Sequence, residues 1–212
     1  MLVVTACGHS PKLGKAPPPQ AAIDVERYRE QVEAQVQPLL DAELVSGLVV
    51  GLYDVGKTEI YGFGKGPAQG KSQGPPDGNT LFELGPITTV YTALLLADAV
   101  QRREVALDTP VSELLPLGVT MPIRDKVAIT LKHLALHAAG LPPHPPSIVA
   151  RGAAPDPFAG YGENELYNDL LRTELIAPPG TQINYSPYGA GLLGFVLGRK
   201  IGPGYAKALE AR

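Results

Sequence analysis

The 212-residue sequence contains no tryptophan and only one cysteine, Cys7. A single cysteine cannot form an internal disulfide, so a small fold stapled by disulfides is excluded. The 18 basic residues are outnumbered by 21 acidic ones. This charge balance offers no basic stripe to neutralise a run of phosphates, and nucleic acid is not an expected partner. The apolar run at 90–100 is too short to span a membrane and contains Asp98.

What the sequence does contain is typical of a globular protein rich in turns. Hydrophobic residues make up 44% of the chain, and its length is sufficient for one domain with a core. Glycine and proline contribute 24 and 22 residues. These counts are well above average usage, and they predict many turns and rigid loops rather than a simple helical bundle.

The N-terminal segment resembles the end of a bacterial lipoprotein signal, "VTAC", in which Cys7 would be the lipidated residue. Only six residues precede Cys7 and none is basic, whereas such a signal needs a charged start and a longer apolar stretch. Either the true start lies further upstream or the match is accidental. Residues 8–22 are polar and proline-rich, which is typical of a tether. We therefore assign 1–22 as a signal remnant and tether, and expect a bacterial envelope or periplasmic location with a possible lipid anchor.

Apolar periodicity from Asp24 onward predicts an amphipathic helix, capped by Asp24 and kinked or restarted at Pro38. Two β-rich runs at 48–53 and 59–63, separated by a turn with Gly56, predict an antiparallel hairpin. A buried strand is expected at 81–84, and a helix at about 87–103. Further helices are expected within 106–116, from a cap at Thr130 to 139–140, at 163–173, and in the C-terminal part of the chain, with a loop at 142–162.

The helix at about 87–103 is apolar around almost its whole circumference until Gln101. Such a helix is expected to be covered by protein on nearly every side, which would make it the buried central helix of the domain. Pro86 lies at its first turn. Proline suits that position, because its missing N–H would be unpaired there and its φ angle is already helical.

Three stretches, "LFELGPITTVYTALLLADAV", "ITLKHLALHAAGLPP" and "PPGTQINYSPYGAGLLGFVLG", resemble in this order the serine β-lactamase and penicillin-binding family of class C type. That family includes β-lactamases, D-alanyl-D-alanine carboxypeptidases and related esterases. The resemblance covers about 23–212. It implies an α/β (α+β) fold of β-lactamase/transpeptidase type, with an antiparallel sheet packed against helices. It also implies hydrolysis of β-lactams or D-Ala peptides through a serine acyl-enzyme, with no cofactor.

In this family the nucleophilic serine and a lysine three residues later share the first turn of the central helix, which brings the amine beside the hydroxyl. The serine position is Pro86 here, and the lysine position is Thr89. In the family's Tyr-x-Asn loop, Tyr185 matches the tyrosine, whereas Pro187 stands at the substrate-contacting asparagine. The family's C-terminal Lys/His-Thr-Gly strand has no counterpart before Arg212. We therefore expect 23–212 to be a partial domain that lacks the C-terminal strands.

These substitutions predict a chain that cannot form the acyl-enzyme. Proline has no hydroxyl for attack and no N–H to hold the oxyanion, and Thr89 supplies neither a base nor a charge. Two other interpretations remain open: a non-catalytic module that binds cell-wall peptide or has a regulatory role, and a partial gene product with an incomplete fold. Tyr185 itself is either a loop tyrosine packed on the central helix or a residue with a remaining role in the site.

Other candidate constellations are weaker. His133 and His137, four residues apart with His144 nearby, are compatible with metal ligands, but Leu134 stands where a metalloprotease has glutamate and no acidic third ligand is close in sequence. No metal site is therefore expected, and in the resembled family this block is structural.

No replacement nucleophile is evident, because Ser112 and Ser147 both lack an adjacent base in sequence. The glycine-rich stretch around Lys65 fits neither a Walker nor a dinucleotide spacing. It is interpreted as the exit from the hairpin.

Overall fold

The computed structural model describes residues 26–54, 56–66 and 74–212 and divides into two compact units, Met1–Phe82 and Glu83–Arg212. Cys7, the predicted tether at 1–22 and the predicted cap Asp24 lie outside the described residues. The two units are described separately below.

The first unit consists of one helix and a hairpin. Helix α1 spans Glu26–Asp41 and continues through Pro38, so the predicted restart at this proline is wrong. Strand β1, Gly47–Asp54, pairs antiparallel with β2, Lys57–Gly64. The register runs from the pair Gly47 and Gly64 to the pair Asp54 and Lys57. The predicted hairpin is therefore confirmed, and its turn contains Gly56 with φ 83°, a left-handed value that favours glycine.

Apolar side chains from α1 and the hairpin form a small separate core. Val36 of α1 is buried together with Tyr61 and Phe63 of β2. The guanidinium of Arg29 lies 5.2 Å from the centre of the Tyr61 ring, a cation–π distance. Partly buried apolar residues complete the cluster: Val32, Leu40, Leu48, Val50 and Leu52.

The predicted strand at 81–84 is wrong. In the part of the chain that the structure describes, β1 and β2 are the only strands, and 81–84 has no regular structure. Leu81, Phe82 and Leu84 are exposed rather than buried. Local β-propensity is insufficient here because a strand also needs a partner for its backbone hydrogen bonds and a surface against which to pack.

The second unit is helical. A short 3-10 turn at Gly85–Ile87 leads into α2, Thr88–Gln101, and a second 3-10 turn spans Val111–Leu114. The remaining helices are α3 (Leu131–Ala135), α4 (Pro146–Arg151), α5 (Glu163–Arg172), α6 (Pro187–Ile201) and α7 (Tyr205–Glu210).

Most of these helices were expected, with two corrections. Thr130 caps α3 as predicted, but α3 ends at Ala135 rather than at 139–140 because His137 adopts φ 53°. Helix α4 lies inside the predicted loop 142–162, where Pro146 occupies a first-turn position. A six-residue helix is too short to show an apolar period, which explains why sequence reasoning missed it.

Helix α6 is the centre of this unit and packs against α2, α3 and α7. Its Leu192, Leu193, Val196 and Leu197 are buried in the main apolar cluster. Helix α2 contributes one buried face to the same core, formed by Thr92, Leu95, Leu96 and Ala99.

The expectation that α2 is covered on nearly every side is wrong. Val90, Tyr91 and Leu94 on α2 are exposed, as is Ile87 just before it. Hydropathy records which side chains favour burial, but neighbouring elements decide which ones are covered. Among the described helices, none is long and apolar enough to cross a membrane.

Candidate active site

An open cleft of about 830 Å³ lies in the second unit, beside the N-terminal ends of α2 and α6. This volume is within the range of small-molecule sites. The four residues that the family resemblance assigns to the site, Pro86, Thr89, Tyr185 and Pro187, all line it. Residues separated by about 100 positions in the chain thus meet at one surface. The other lining residues are Gly85, Thr88, Thr92, Phe158, Ala190, Gly191, Gly194, Phe195 and Tyr205.

Pro86 stands at the rim of this cleft, in the 3-10 turn that precedes α2. The turn begins at Gly85, whose φ of 54° is a left-handed value that favours glycine. The Thr89 hydroxyl donates a hydrogen bond of 2.7 Å to the carbonyl oxygen of Pro86. The hydroxyl at the lysine position therefore stabilises the helix start, and its proton is engaged in that bond.

Pro187 begins α6 on the opposite side of the cleft. Ser186 caps this helix: its Oγ accepts a hydrogen bond from the Gly189 N–H at 3.0 Å and donates one to the Pro142 carbonyl at 2.7 Å. A serine followed by proline is a good helix start, since the serine caps and the proline has no N–H to leave unpaired. This capping role of Ser186 was not predicted, although the Ser-Pro dipeptide itself indicates it.

Tyr185 is 53% exposed and faces the cleft from the segment just before α6. Its ring lies against the imidazole of His137, with centroids 4.8 Å apart and planes tilted by 52°. Tyr185 is therefore a loop tyrosine whose ring packs on His137 of the segment after α3. That contact leaves part of the ring available to a molecule in the cleft.

Thr92 and Tyr205 form a polar contact at the base of the cleft. The Thr92 hydroxyl lies 2.7 Å from the Tyr205 hydroxyl and 3.1 Å from the Thr88 carbonyl, to which it donates. Tyr205 belongs to α7, so this contact joins α7 to the buried side of α2. Its role was not evident from sequence, because the two residues are 113 positions apart.

The described residues that line the cleft include no lysine, arginine, histidine, aspartate or glutamate. The hydroxyls of Thr89 and Thr92 are both held by the contacts given above. Aromatic rings of Phe158, Phe195 and Tyr205 supply much of the remaining wall. The cleft therefore has the shape of a ligand site, but its described lining offers no lysine, histidine or carboxylate to activate a hydroxyl for attack.

A second cavity of about 430 Å³ adjoins this cleft and shares Phe158, Pro187, Gly191 and Phe195 with it. Its wall includes Tyr161, whose hydroxyl donates to the Asp169 carboxylate at 3.0 Å. Burial, followed by the hydrogen bond to Asp169, raises the pKa of Tyr161 well above its ordinary value. The tyrosine thus remains a neutral donor to that carboxylate at ordinary pH.

Asp169 is also the hydrogen-bond partner of Ser147, a residue that has no adjacent base in the sequence. Asp169 is only 2% exposed, and its carboxylate accepts hydrogen bonds from the Ser147 hydroxyl at 2.6 Å and the Ser147 N–H at 3.0 Å. Ser147 therefore has an acidic neighbour in space, Asp169, although no base is adjacent to it in the sequence. With the Tyr161 bond the carboxylate accepts three donors and caps the start of α4, which is a structural arrangement. Neither Ser147 nor Ser112 lines the cleft.

The histidines also have backbone partners. His133 Nδ1 accepts from the Thr130 N–H at 3.3 Å, completing the cap of α3, and His137 Nδ1 accepts from the Ser186 N–H at 3.2 Å. Over the described ranges, no group of three or more histidine, cysteine, aspartate or glutamate residues is arranged to hold a metal ion. Lys65 directly follows β2, in agreement with the interpretation of this stretch as the hairpin exit.

Comparison with known proteins first defines the class of fold. A β-lactamase/D-alanine carboxypeptidase from Yersinia pestis, solved in complex with citrate, superposes with a TM-score of 0.69 at 24% identity over 88% of this chain and 52% of that one. A class C β-lactamase from Rhodobacter sphaeroides gives a TM-score of 0.61 at 28% identity, covering 84% of this chain and 46% of that one. The predicted β-lactamase/transpeptidase-like fold of mixed helices and antiparallel sheet is confirmed.

The family follows from the sequence match. The Beta-lactamase family model matches residues 32–212, so the chain belongs to this family, as the three quoted stretches predict. A β-lactamase of Pseudomonas fluorescens is 29% identical over 186 residues, which is 86% of this chain and 47% of that protein. The chain thus spans about half the length of the curated relatives it matches.

Proposed function

We propose that this member of the β-lactamase family does not form an acyl-enzyme at its cleft. The observation that carries the proposal is Pro86 at the rim of the cleft, in the place where the family resemblance expects the nucleophilic serine. Acyl transfer by this family needs a hydroxyl there, a base one helical turn away and an N–H that stabilises the oxyanion.

Each of these groups is missing at the two matching positions. Pro86 has neither a hydroxyl nor an N–H. Loss of one oxyanion donor alone costs about two to three powers of ten in rate, and loss of the nucleophile removes the covalent route. Thr89 is uncharged, and its hydroxyl donates to the Pro86 carbonyl at 2.7 Å. The described lining of the cleft contains no lysine, histidine or carboxylate that could act as a base in its place.

A second candidate function is reversible binding of a β-lactam or a D-Ala peptide of the cell wall. It is favoured by the cleft of about 830 Å³, which is lined by Tyr185 and three further aromatic residues. An aromatic-walled pocket with a few hydroxyls is suited to a small amide ligand. A ligand can bind reversibly in the cleft without a nucleophile, so loss of acylation does not remove binding.

One experiment tests both candidates. The purified chain is incubated with a fluorescent penicillin; intact mass then reports a covalent adduct, and fluorescence polarisation reports reversible binding. We expect no adduct on the unmodified chain. Polarisation that rises with protein concentration, and falls when an unlabelled D-Ala-D-Ala peptide is added, would support the binding function.

The test for a covalent adduct also uses a matched pair of variants. Pro86→Ser with Thr89→Lys restores a serine and a lysine one turn apart, whereas Pro86→Ser with Thr88→Lys places the lysine on a different side of the helix. An adduct on the first variant alone would show that the geometry of the site is retained and only its chemistry is missing. An adduct on the unmodified chain would overturn the proposal and direct the search to another nucleophile.

A further inference from the structure

We infer that His137 is a positioning residue that fixes Tyr185 at the rim of the cleft. The inference concerns the geometry of this chain, and its consequence for ligand affinity rests on the proposed binding function. Three separate contacts join His137 to the segment Asn184, Tyr185 and Ser186, and they involve its carbonyl, its ring nitrogen and its ring face.

The first two contacts bracket Tyr185 on the backbone. The Asn184 N–H donates to the His137 carbonyl oxygen at 2.8 Å. The Ser186 N–H donates to His137 Nδ1 at 3.2 Å. Because the residues before and after Tyr185 are both bonded to one residue, the position of the Tyr185 α-carbon is determined by His137.

The third contact acts on the side chain. The imidazole and the Tyr185 ring are 4.8 Å apart between centroids, within the range of direct ring packing. This packing restricts the directions in which a half-exposed tyrosine ring can point. Backbone and ring are therefore both held by His137.

The residue type suits this task. His137 adopts φ 53°, a left-handed conformation that histidine, asparagine and aspartate tolerate better than most non-glycine residues. This conformation follows the end of α3 and leaves the His137 carbonyl as the acceptor for Asn184. Since Nδ1 accepts a hydrogen bond from the Ser186 N–H, a neutral imidazole carries its hydrogen on Nε2.

In the described part of the chain, no other side chain is hydrogen-bonded to the backbone N–H groups of Asn184 and Ser186. The Nδ2 donor of Asn184 is buried without a hydrogen-bond partner in the described structure. The Ser186 hydroxyl is engaged with Pro142 and Gly189, so it anchors the start of α6. Ser186 is itself buried, and loss of the Nδ1 acceptor would leave its N–H unpaired away from water.

Three substitutions at position 137 separate the contacts. His137→Asn keeps tolerance of the left-handed backbone and places an acceptor oxygen close to the Nδ1 position. His137→Gly keeps the backbone conformation and removes the acceptor and the ring. His137→Ala loses the acceptor and also disfavours the conformation.

The decisive measurement is amide hydrogen exchange on the full chain without ligand. We expect His137→Gly to accelerate exchange of the Ser186 amide about tenfold while amides in the middle of α6 are unchanged, and His137→Asn to restore most of the protection. Unchanged protection of Ser186 in His137→Gly would overturn the inference. A general acceleration of exchange throughout α3 and α6 would also overturn it, and so would failure of His137→Asn to restore protection of the Ser186 amide. Either result would mean that His137 stabilises the fold in general rather than this segment through its acceptor.

The fluorescent penicillin supplies an independent readout. If the cleft binds it reversibly, affinity should fall in both Tyr185→Ala and His137→Gly. It should recover in part in His137→Asn, which restores the acceptor but not the ring. Exchange is measured without the probe, so a lack of binding by the unmodified chain would contradict the proposed binding function and leave the positioning result intact. Binding that is lost in Tyr185→Ala but unaffected by His137→Gly would contradict the inference that His137 positions Tyr185.

Discussion

Helices α2 and α6 are both strongly apolar, yet they occupy different environments in the same unit. Helix α6 packs against α2, α3 and α7, and its Leu192, Val196 and Leu197 are almost fully buried. Helix α2 buries one face and leaves Val90, Tyr91 and Leu94 exposed. An apolar circumference is therefore not sufficient for burial, because burial also requires neighbours on every side. The cleft lies where these two helices begin, so one of its walls belongs to the buried helix and the other to the partly exposed one.

The largest expected contrast between the two helices is in stability. Leu197→Ala in α6 removes a side chain with 0% exposure and should lower the free energy of unfolding by about 2–5 kcal/mol. Leu94→Ala in α2 removes one that is 60% exposed and should change it by less than about 0.5 kcal/mol. Urea unfolding followed by circular dichroism measures both. Equal losses would mean that α2 is covered in solution.

A second contrast lies within α6, where a small residue allows α7 to approach closely. A β-carbon at Gly198 would overlap the backbone of Tyr205 in α7, whereas one at Gly191 would meet nothing within 4 Å. Gly198→Ala should therefore destabilise the unit by about 1–3 kcal/mol through overpacking. Gly191→Ala should stabilise it by up to about 1 kcal/mol, as expected for glycine replaced in a helix interior.

Thermal unfolding of the two glycine variants tests whether their changes in stability have opposite signs. A Gly198→Ala variant as stable as the unmodified chain would contradict the close packing of α7 on α6. The Gly191→Ala variant serves as the control for helix propensity, since it makes the same chemical change without the clash.

The smallest contrast concerns pH. Burial raises the pKa of Tyr188 in α6 from its ordinary value of 10.0 to about 12, with further contributions from Thr173, which lowers it, and Asp169, which raises it. Because the folded-state pKa is above the unfolded one, the stabilising contribution is complete below pH 10 and is lost as the pH rises towards 12. The loss should be on the order of 1–2 kcal/mol after allowance for partial solvent screening.

Tyr188→Phe removes this titration and should flatten the alkaline decline in stability, while Tyr161 and Tyr167, whose pKa values are also raised, still contribute to it. Tyr91→Phe in α2 is the matched control, because Tyr91 is an exposed residue and the substitution makes the same chemical change. Urea midpoints between pH 9 and 12 provide the measurement. An identical slope in the Tyr188→Phe variant and the unmodified chain would contradict the burial of that hydroxyl.

Much of the secondary structure was predictable because it depends on residues close in sequence. The hairpin follows from two β-rich runs around Gly56, and the cap of α3 follows from Thr130. The same local reasoning failed at 81–84, where the residues favour a strand but no partner strand pairs with them in the described structure. It also placed the end of α3 too late, because the left-handed conformation of His137 is sustained by bonds to Asn184 and Ser186, far along the chain.

By itself the sequence determined the family, and it predicted that Pro86, Thr89, Tyr185 and Pro187 stand at motif positions of that family, with only Tyr185 retaining the expected side chain. Covalent structure decides such matters, since a proline has no hydroxyl in any fold. Only the tertiary structure decided that these four residues share one cleft, that α6 rather than α2 is the most deeply buried helix, and that His137 brackets Tyr185. These features depend on contacts between residues distant in the chain, and local periodicity carries no information about which distant surfaces meet.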